Sequence, residues 1–320
     1  MKLTVVVPVY NEQRTLDEII RRVQAVDLEK EIICVDDASK DDSWAILERL
    51  ARTHANIRIF KHDVNQGKGA AIRTGLAKME GDIAVIQDAD LEYDPKEYFT
   101  LIGPIMDGRA DVVFGSRFLG GPHRVHLFFH YMANKFLTFV SNVFTNLNLT
   151  DMETCYKVMR REVVQRLNLK TNRFGVEPEI TAKVARMRAR IYEVPISYSG
   201  RDFSEGKKIG WKDGIPALWA ILKFNLWEAS VEPLPHQVLK DFPTRFPKKP
   251  ERPVVPASTG RGASCYPIAV YGVVSDAAGF NPGPGIGRRY PEAVFSGRLS
   301  PPRRICRSVW KPLCGAPPEE

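Results

Sequence analysis

Five short apolar runs are spaced along residues 1–116, and segments of helical periodicity separate them. The runs are 3–9 (LTVVVPV), 31–35 (EIICV), 57–60 (IRIF), 83–87 (IAVIQ) and 111–115 (DVVFG). After the first, Leu16, Ile19, Ile20, Val23 and Val26 fall on one face of a helix. Asp41, Asp42 and Ser43 can cap a second helix carrying Trp44, Leu47 and Leu50. A third is expected over Gly69–Met79, and a fourth from about Pro95, a residue suited to a first helical turn. Strict alternation of strand and helix predicts an α/β fold, a mostly parallel Rossmann-like sheet with helices on both faces. In such sheets ligands sit beyond the carboxyl ends of the strands, so the residues after each run are where chemistry is expected.

The chain has 320 residues and a formal net charge of +8, which by itself would suggest an anionic partner. The charge is unevenly spread. Residues 1–116 carry 15 basic and 21 acidic groups (−6), residues 117–232 carry 18 and 11 (+7), and residues 233–320 carry 13 and 6 (+7). The last segment also holds 16 of the 23 prolines and 9 of the 23 glycines, a composition hostile to long helices and central strands. These shifts predict a folded domain over 1–232 and a disordered, Pro/Gly/Arg-rich tail over 233–320. The basic excess is nearly all tail, and no RNA-binding motif accompanies it, so nucleic acid is not an expected partner. The five cysteines (Cys34, Cys155, Cys265, Cys306, Cys314) form no C-x-x-C pair, which argues against a disulfide scaffold or zinc site and for a reducing compartment. The N-terminus, one Lys and then a seven-residue, mostly apolar run containing Pro8, reads as lacking a signal peptide.

The strand ends are acidic. Pro8-Val-Tyr10-Asn11-Glu12 follows the first run, Asp36-Asp37 the second, Asp88-Ala-Asp90 and then Glu92 the fourth, and Ser116-Arg117 the fifth. Carboxylates spaced i, i+2 at a strand end can both reach one hard divalent cation, with phosphate oxygens of a ligand completing its shell. Turn formation and helix capping are the competing roles for the same acids. Neither a Walker pattern nor G-x-G-x-x-G is present; Gly67 and Gly69 instead suit a tight loop entering a helix.

Taken together, VVVPVYNE (5–12), VDDASKDDS (35–43), NQGKGAAIRTG (65–75), DADLEYDP (88–95), GSRF (115–118) and GRDFSEGKKIGWKDG (200–214) resemble a family 2 glycosyltransferase of the GT-A fold. The pattern is nearest to polyprenyl- or dolichyl-phosphate mannosyl- and glucosyltransferases, and it covers about residues 1–227. The resemblance implies that Pro8, Tyr10 and Glu12 line a nucleotide pocket and that Val35 and Asp37 read the base. It implies that Asp88, Ala89 and Asp90 hold the sugar nucleotide and a Mg2+ or Mn2+ ion, with Glu92 a further metal ligand. Arg117, Arg201 and Lys207 are the expected phosphate-binding cations. The implied reaction is a metal-dependent, inverting transfer of mannose or glucose from a GDP- or UDP-sugar to a polyprenyl phosphate. A lipid phosphate is already a nucleophile, whereas a hydroxyl acceptor needs a carboxylate base, for which Asp151 and Glu153 are the candidates. Hydroxyl glycosylation in cell-envelope polysaccharide synthesis and a non-catalytic nucleotide-sugar-binding module stay open as alternatives.

No apolar stretch reaches the roughly 18 residues of a membrane span. Two amphipathic stretches, 125–144 and 215–227, suit helices lying in a membrane interface or packing onto the sheet as core. His123, His126 and His130 read as surface residues rather than ligands. The expected location is the cytosolic face of a membrane, peripherally bound, with a membrane-anchoring partner protein as a further option.

Overall fold

All five apolar runs form strands: β1 (Leu3–Val9), β2 (Lys30–Asp36), β3 (Ile57–Lys61), β4 (Ile83–Ile86) and β5 (Val112–Ser116). These are seen in a computed structural model that describes residues 1–120, 124, 127–200, 214–228 and 232–234. Met1–Val254 and Val255–Glu320 separate as two units, and every described residue belongs to the first. Arg201, Lys207, His123, His126 and the tail beyond 234 lie outside the described residues.

The expected helices form as α1 (Leu16–Gln24), α2 (Ser43–Thr53), α3 (Lys68–Ala77) and α4 (Tyr98–Met106), the last entered through a 3-10 turn at Pro95–Glu97. Asp94 starts that turn by accepting the Lys96 amide at 3.1 Å. The stripe read on α1 is its buried face, with Leu16, Ile19, Ile20 and Val23 all sealed from solvent. Each such side chain contributes roughly 1.5–3 kcal/mol on burial.

Two further strands, β6 (Lys157–Arg160) and β7 (Ile191–Pro195), complete a seven-stranded sheet of order β3-β2-β1-β4-β6-β5-β7. Every pairing is parallel except those of β6, which runs antiparallel between β4 and β5. This reversal matters for function. Because β6 enters from the edge where the parallel strands end, the preceding segment 150–156 lies at the same edge as Tyr10, Asp37, Asp88 and Arg117. The second half adds α5 (Phe128–Thr145), α6 (Arg161–Arg166), α7 (Val176–Arg186) and α8 (Gly214–Leu226), of which α5, α7 and α8 pack on one another. The chain stays attached past α8. Glu228 pairs with Lys170 at 2.6 Å, and Leu234 is buried with its amide donating to the Met187 carbonyl at 3.0 Å.

Candidate active site

The loops after β1 and β2 interlock. The Asn11 amide donates to Ser39 Oγ (3.0 Å), Asn11 Oδ1 accepts the Lys40 amide (2.8 Å), and the Glu12 amide donates to Ser43 Oγ (3.0 Å). Asn11 and Ala38 take the left-handed backbone conformation (φ 54° and 59°), which L-residues adopt only when their surroundings enforce it. Tyr10 is 36% exposed at this edge, while the Glu12 carboxylate accepts the Thr15 hydroxyl at 3.1 Å.

Val35 and Asp37, expected from the resemblance to read the base, are both engaged within the protein. Val35 is wholly buried, packed with Ile33, Ala71 and Phe60. Asp37 spends its carboxylate on the protein: Oδ1 accepts the Gln66 amide (2.9 Å) and His62 Nδ1 (2.7 Å), and Oδ2 accepts the Gly67 amide (2.7 Å). Asp37 therefore fixes the 65–69 loop. The glycines of that loop serve close packing. A Cβ on Gly67 would meet the Asn172 carbonyl oxygen at 2.4 Å, one on Gly69 the Thr171 carbonyl oxygen at 2.4 Å, and Gly67 has φ 102°.

Between those glycines, Lys68 reaches under the end of β4. Its ammonium lies 2.9 and 3.1 Å from the two Asp88 oxygens and 3.0 Å from Glu177 Oε1 on α7. Burial opposes the charge, but the two carboxylates outweigh it and hold the Lys68 pKa well above the ordinary lysine range. The Asp88 carbonyl is fixed by Gln87 Nε2 (3.0 Å), and Gln87 is itself fixed by the Tyr98 and Tyr156 hydroxyls (2.7 and 2.8 Å). Ala89, between the two acids, is buried. Asp90 Oδ1 accepts the Glu92 amide at 3.2 Å across Leu91, another left-handed residue at φ 65°.

Glu92, expected as a further metal ligand, is engaged by a neighbouring side chain. Its Oε2 accepts the Tyr198 hydroxyl at 2.7 Å, and among the described residues no three acid, His or Cys side chains are grouped to hold a metal. A second expectation also changes. Asp151, wholly buried, accepts Arg117 Nε and Nη2 at 2.7 Å each and the Arg117 amide at 3.1 Å. A carboxylate so engaged orients a guanidinium; it is not poised to take a proton from a substrate. The guanidinium also lies 5.2 Å from the Tyr198 ring centroid. Glu193 of β7 fixes the loop beneath by accepting the Thr150 and Asp151 amides at 2.9 and 3.0 Å.

The other acid of that segment differs. Glu153 Oε1 is shielded and has no hydrogen-bond partner among the described residues. Burial, reinforced by the Glu177 charge, pushes its carboxyl up to about 8. Sequence reasoning did not assign roles to Lys68, Glu177, Tyr198 or Glu193. Only Lys68 carried a local signal, as a lone cation between two glycines in the 65–75 motif.

The Glycosyl transferase family 2 model matches residues 4–167, more than half of the chain. A dolichol-phosphate mannosyltransferase from Pyrococcus furiosus is 28% identical over 237 residues, and the match spans 72% of this chain and 66% of that protein's length. An undecaprenyl-phosphate mannosyltransferase from Micrococcus luteus is 27% identical over 221 residues, spanning 66% of this chain and 88% of that one. Among solved structures, glucosyl-3-phosphoglycerate synthase from Mycobacterium tuberculosis, crystallised with Mn2+, UDP and glucosyl-3-phosphoglycerate, superposes with a TM-score of 0.54. It covers 70% of this chain and 80% of its own at 21% identity, a likeness of fold.

Proposed function

The chain belongs to glycosyl transferase family 2 and is a glycosyltransferase of GT-A fold; from that premise we propose that it transfers a hexose, mannose or glucose, from a GDP- or UDP-sugar to a polyprenyl phosphate at a membrane surface. Both curated relatives bear names of polyprenyl-phosphate mannosyltransferases, which supports the acceptor class. The observation that carries the reading is the Arg117–Asp151 pair. The fifth strand end presents a cation locked in place by a carboxylate that is itself fully engaged, which suits an acceptor that arrives already ionised. A phosphate oxygen of the acceptor forms the new bond to the anomeric carbon, the bond to the diphosphate breaks, and the nucleoside diphosphate departs with the electron pair. No proton has to move.

Asp88 and Asp90 are hard oxygen donors on one loop, and they fit Mg2+ or Mn2+. Two carboxylates are too few to enclose such an ion, so the diphosphate of the donor would supply further ligands. When bound, the metal offers charge neutralisation of the leaving diphosphate. Arg117 adds fixed positive charge at the same edge, and Arg201 and Lys207 remain proposed phosphate contacts.

The proposed membrane contact rests on α5 and α8. In α5 only Leu137, Thr138 and Ser141 are buried, whereas Phe128, Phe129, Met132, Phe136, Phe139 and Val143 face outward. Ile215, Trp219, Leu226 and Trp227 are likewise exposed on and just after α8. Among the described residues no helix is long and apolar enough to cross a membrane. Lys135 of α5 donates to the Thr150 carbonyl at 3.2 Å, which ties this helix to the loop that holds Arg117.

Glu153 favours one second reading. A partly shielded carboxyl titrating at about 8 is a suitable general base for a hydroxyl acceptor, in the place first considered for Asp151. One experiment separates the two. Membranes and the full-length protein are incubated with a panel of radiolabelled nucleotide hexoses, and label entering the organic phase is scored. The lipid-phosphate reading expects one GDP- or UDP-hexose to give lipid-soluble product, abolished by EDTA. Transfer to water-soluble acceptors only, with none to lipid, would favour the hydroxyl reading.

A further inference from the structure

Lys68 occupies both oxygens of the carboxylate that the metal reading needs. Its side chain is only 19% exposed, so the ammonium is not a solvated surface charge. Its backbone is held in place because Gly67 and Gly69 abut the 171–173 carbonyls and the Ala70 amide donates to the Asn172 carbonyl at 3.1 Å. Glu177, 7% exposed, is its second anionic partner, and a buried carboxylate stripped of its counter-charge is costly. Lys68, Asp88 and Glu177 together sum to one negative charge, so the cluster can accept further positive charge but cannot lose the lysine without penalty.

We infer that Lys68 is the resident counter-ion of Asp88 and competes with the divalent cation for that carboxylate, so that cation binding shifts the ammonium onto Glu177. The inference rests on the metal reading above. A divalent cation held by an Asp88 oxygen would stand close to an ammonium that lies 2.9 Å from the same carboxylate, and the two would repel. The lysine has a place to go, since Glu177 already holds it. Lys68 is therefore a positioning residue. It offsets part of the carboxylate charge, and it keeps affinity for the bare metal low until donor phosphates add their own negative charge.

Two variants of the full-length chain test this with opposite signs. Binding of Mn2+ alone is measured from the free-ion electron paramagnetic resonance signal, then repeated with GDP or UDP present. Lys68→Gln is expected to tighten Mn2+ binding in the absence of nucleotide on the order of tenfold, the scale of one partly screened charge contact. Glu177→Gln leaves the ammonium wholly to Asp88 and is expected to weaken it about threefold. Should Lys68→Gln fail to fold, the Glu177→Gln measurement still decides. Equal affinities in wild type and variants, or changes of the same sign in both, would overturn the counter-ion role while nucleotide-dependent Mn2+ binding leaves the metal reading standing. No Mn2+ binding by any of the three proteins, with or without nucleotide, overturns the metal reading and this inference with it.

Discussion

Arg117 is oriented by a buried carboxylate partner. Asp151 takes its Nε–Nη2 edge in a bidentate pair, which sets the plane of the guanidinium before any phosphate arrives. Lysine cannot reproduce that fork, so Arg117→Lys is expected to lower kcat/KM by about 10- to 100-fold, the equivalent of roughly 1.5–3 kcal/mol for a charge-assisted contact. Asp151→Asn should act through the same arginine. We expect a comparable fall in kcat/KM with an unchanged shape of the pH–rate profile, whereas loss of the basic limb would mark Asp151 as a base. The sequence made both residues visible but not their relation, because residues 117 and 151 meet only through the sheet. Glu153 offers a separate test. Its carboxyl ordinarily titrates near 4.5 and in the fold at about 8. Between those values the folded chain holds the extra proton, so stability is lost as pH rises through the window. Melting temperatures of wild type and Glu153→Gln should coincide near pH 4.5 and diverge towards pH 9, with wild type the lower.

At the scale of elements, one device recurs: a buried or half-buried carboxylate accepts two consecutive backbone amides and so fixes a loop. Glu31 holds the Glu80 and Gly81 amides, Asp37 those of Gln66 and Gly67, Glu179 those of Lys170 and Thr171, and Glu193 those of Thr150 and Asp151. Of these four acids only Asp37 directly follows a strand, the place where sequence reasoning looks for ligand contacts. An acid after a strand is equally suited to holding the next loop, and only three-dimensional pairing tells the two apart. Glu193→Gln replaces one acceptor oxygen by a donor facing an amide, and should cost about 1–3 kcal/mol. The check is a lower melting temperature with faster hydrogen exchange at Thr150 and Asp151. The same limit of local reading applies to β6. The alternating half was legible because its strands are continuous apolar runs. By contrast, β6 buries Lys157 and Arg160 within four residues, satisfied by the Met152 and Ala110 carbonyls among others. Charge at those positions hid the strand, and its reversed direction follows from long-range pairing that no local pattern encodes.

At the scale of the whole molecule, the outward apolar face bears on two roles that sequence periodicity could not separate. A stripe with helical spacing fits a core helix and a surface-binding helix equally, since periodicity defines a face without saying what covers it. Phe129 at 81% exposure and Phe139 at 64% show that α5 turns much of its stripe away from the protein. If a bilayer covers it, the double variant Phe129→Asp, Phe136→Asp should reduce co-flotation of the full-length chain with vesicles at least tenfold, because each exposed aromatic forfeits roughly 1.5–3 kcal/mol of burial. Its melting temperature in solution should stay within about 1 °C of wild type, since neither ring is in the core. The vesicles should first be purely zwitterionic phosphatidylcholine. The tail at 233–320 carries a net +7 and would adhere to anionic lipid whether or not α5 inserts. Binding to neutral vesicles that the double variant abolishes is a property of the helix face. Binding that needs anionic lipid and survives the substitutions belongs to the charge of the tail, and would remove α5 from the proposed membrane contact.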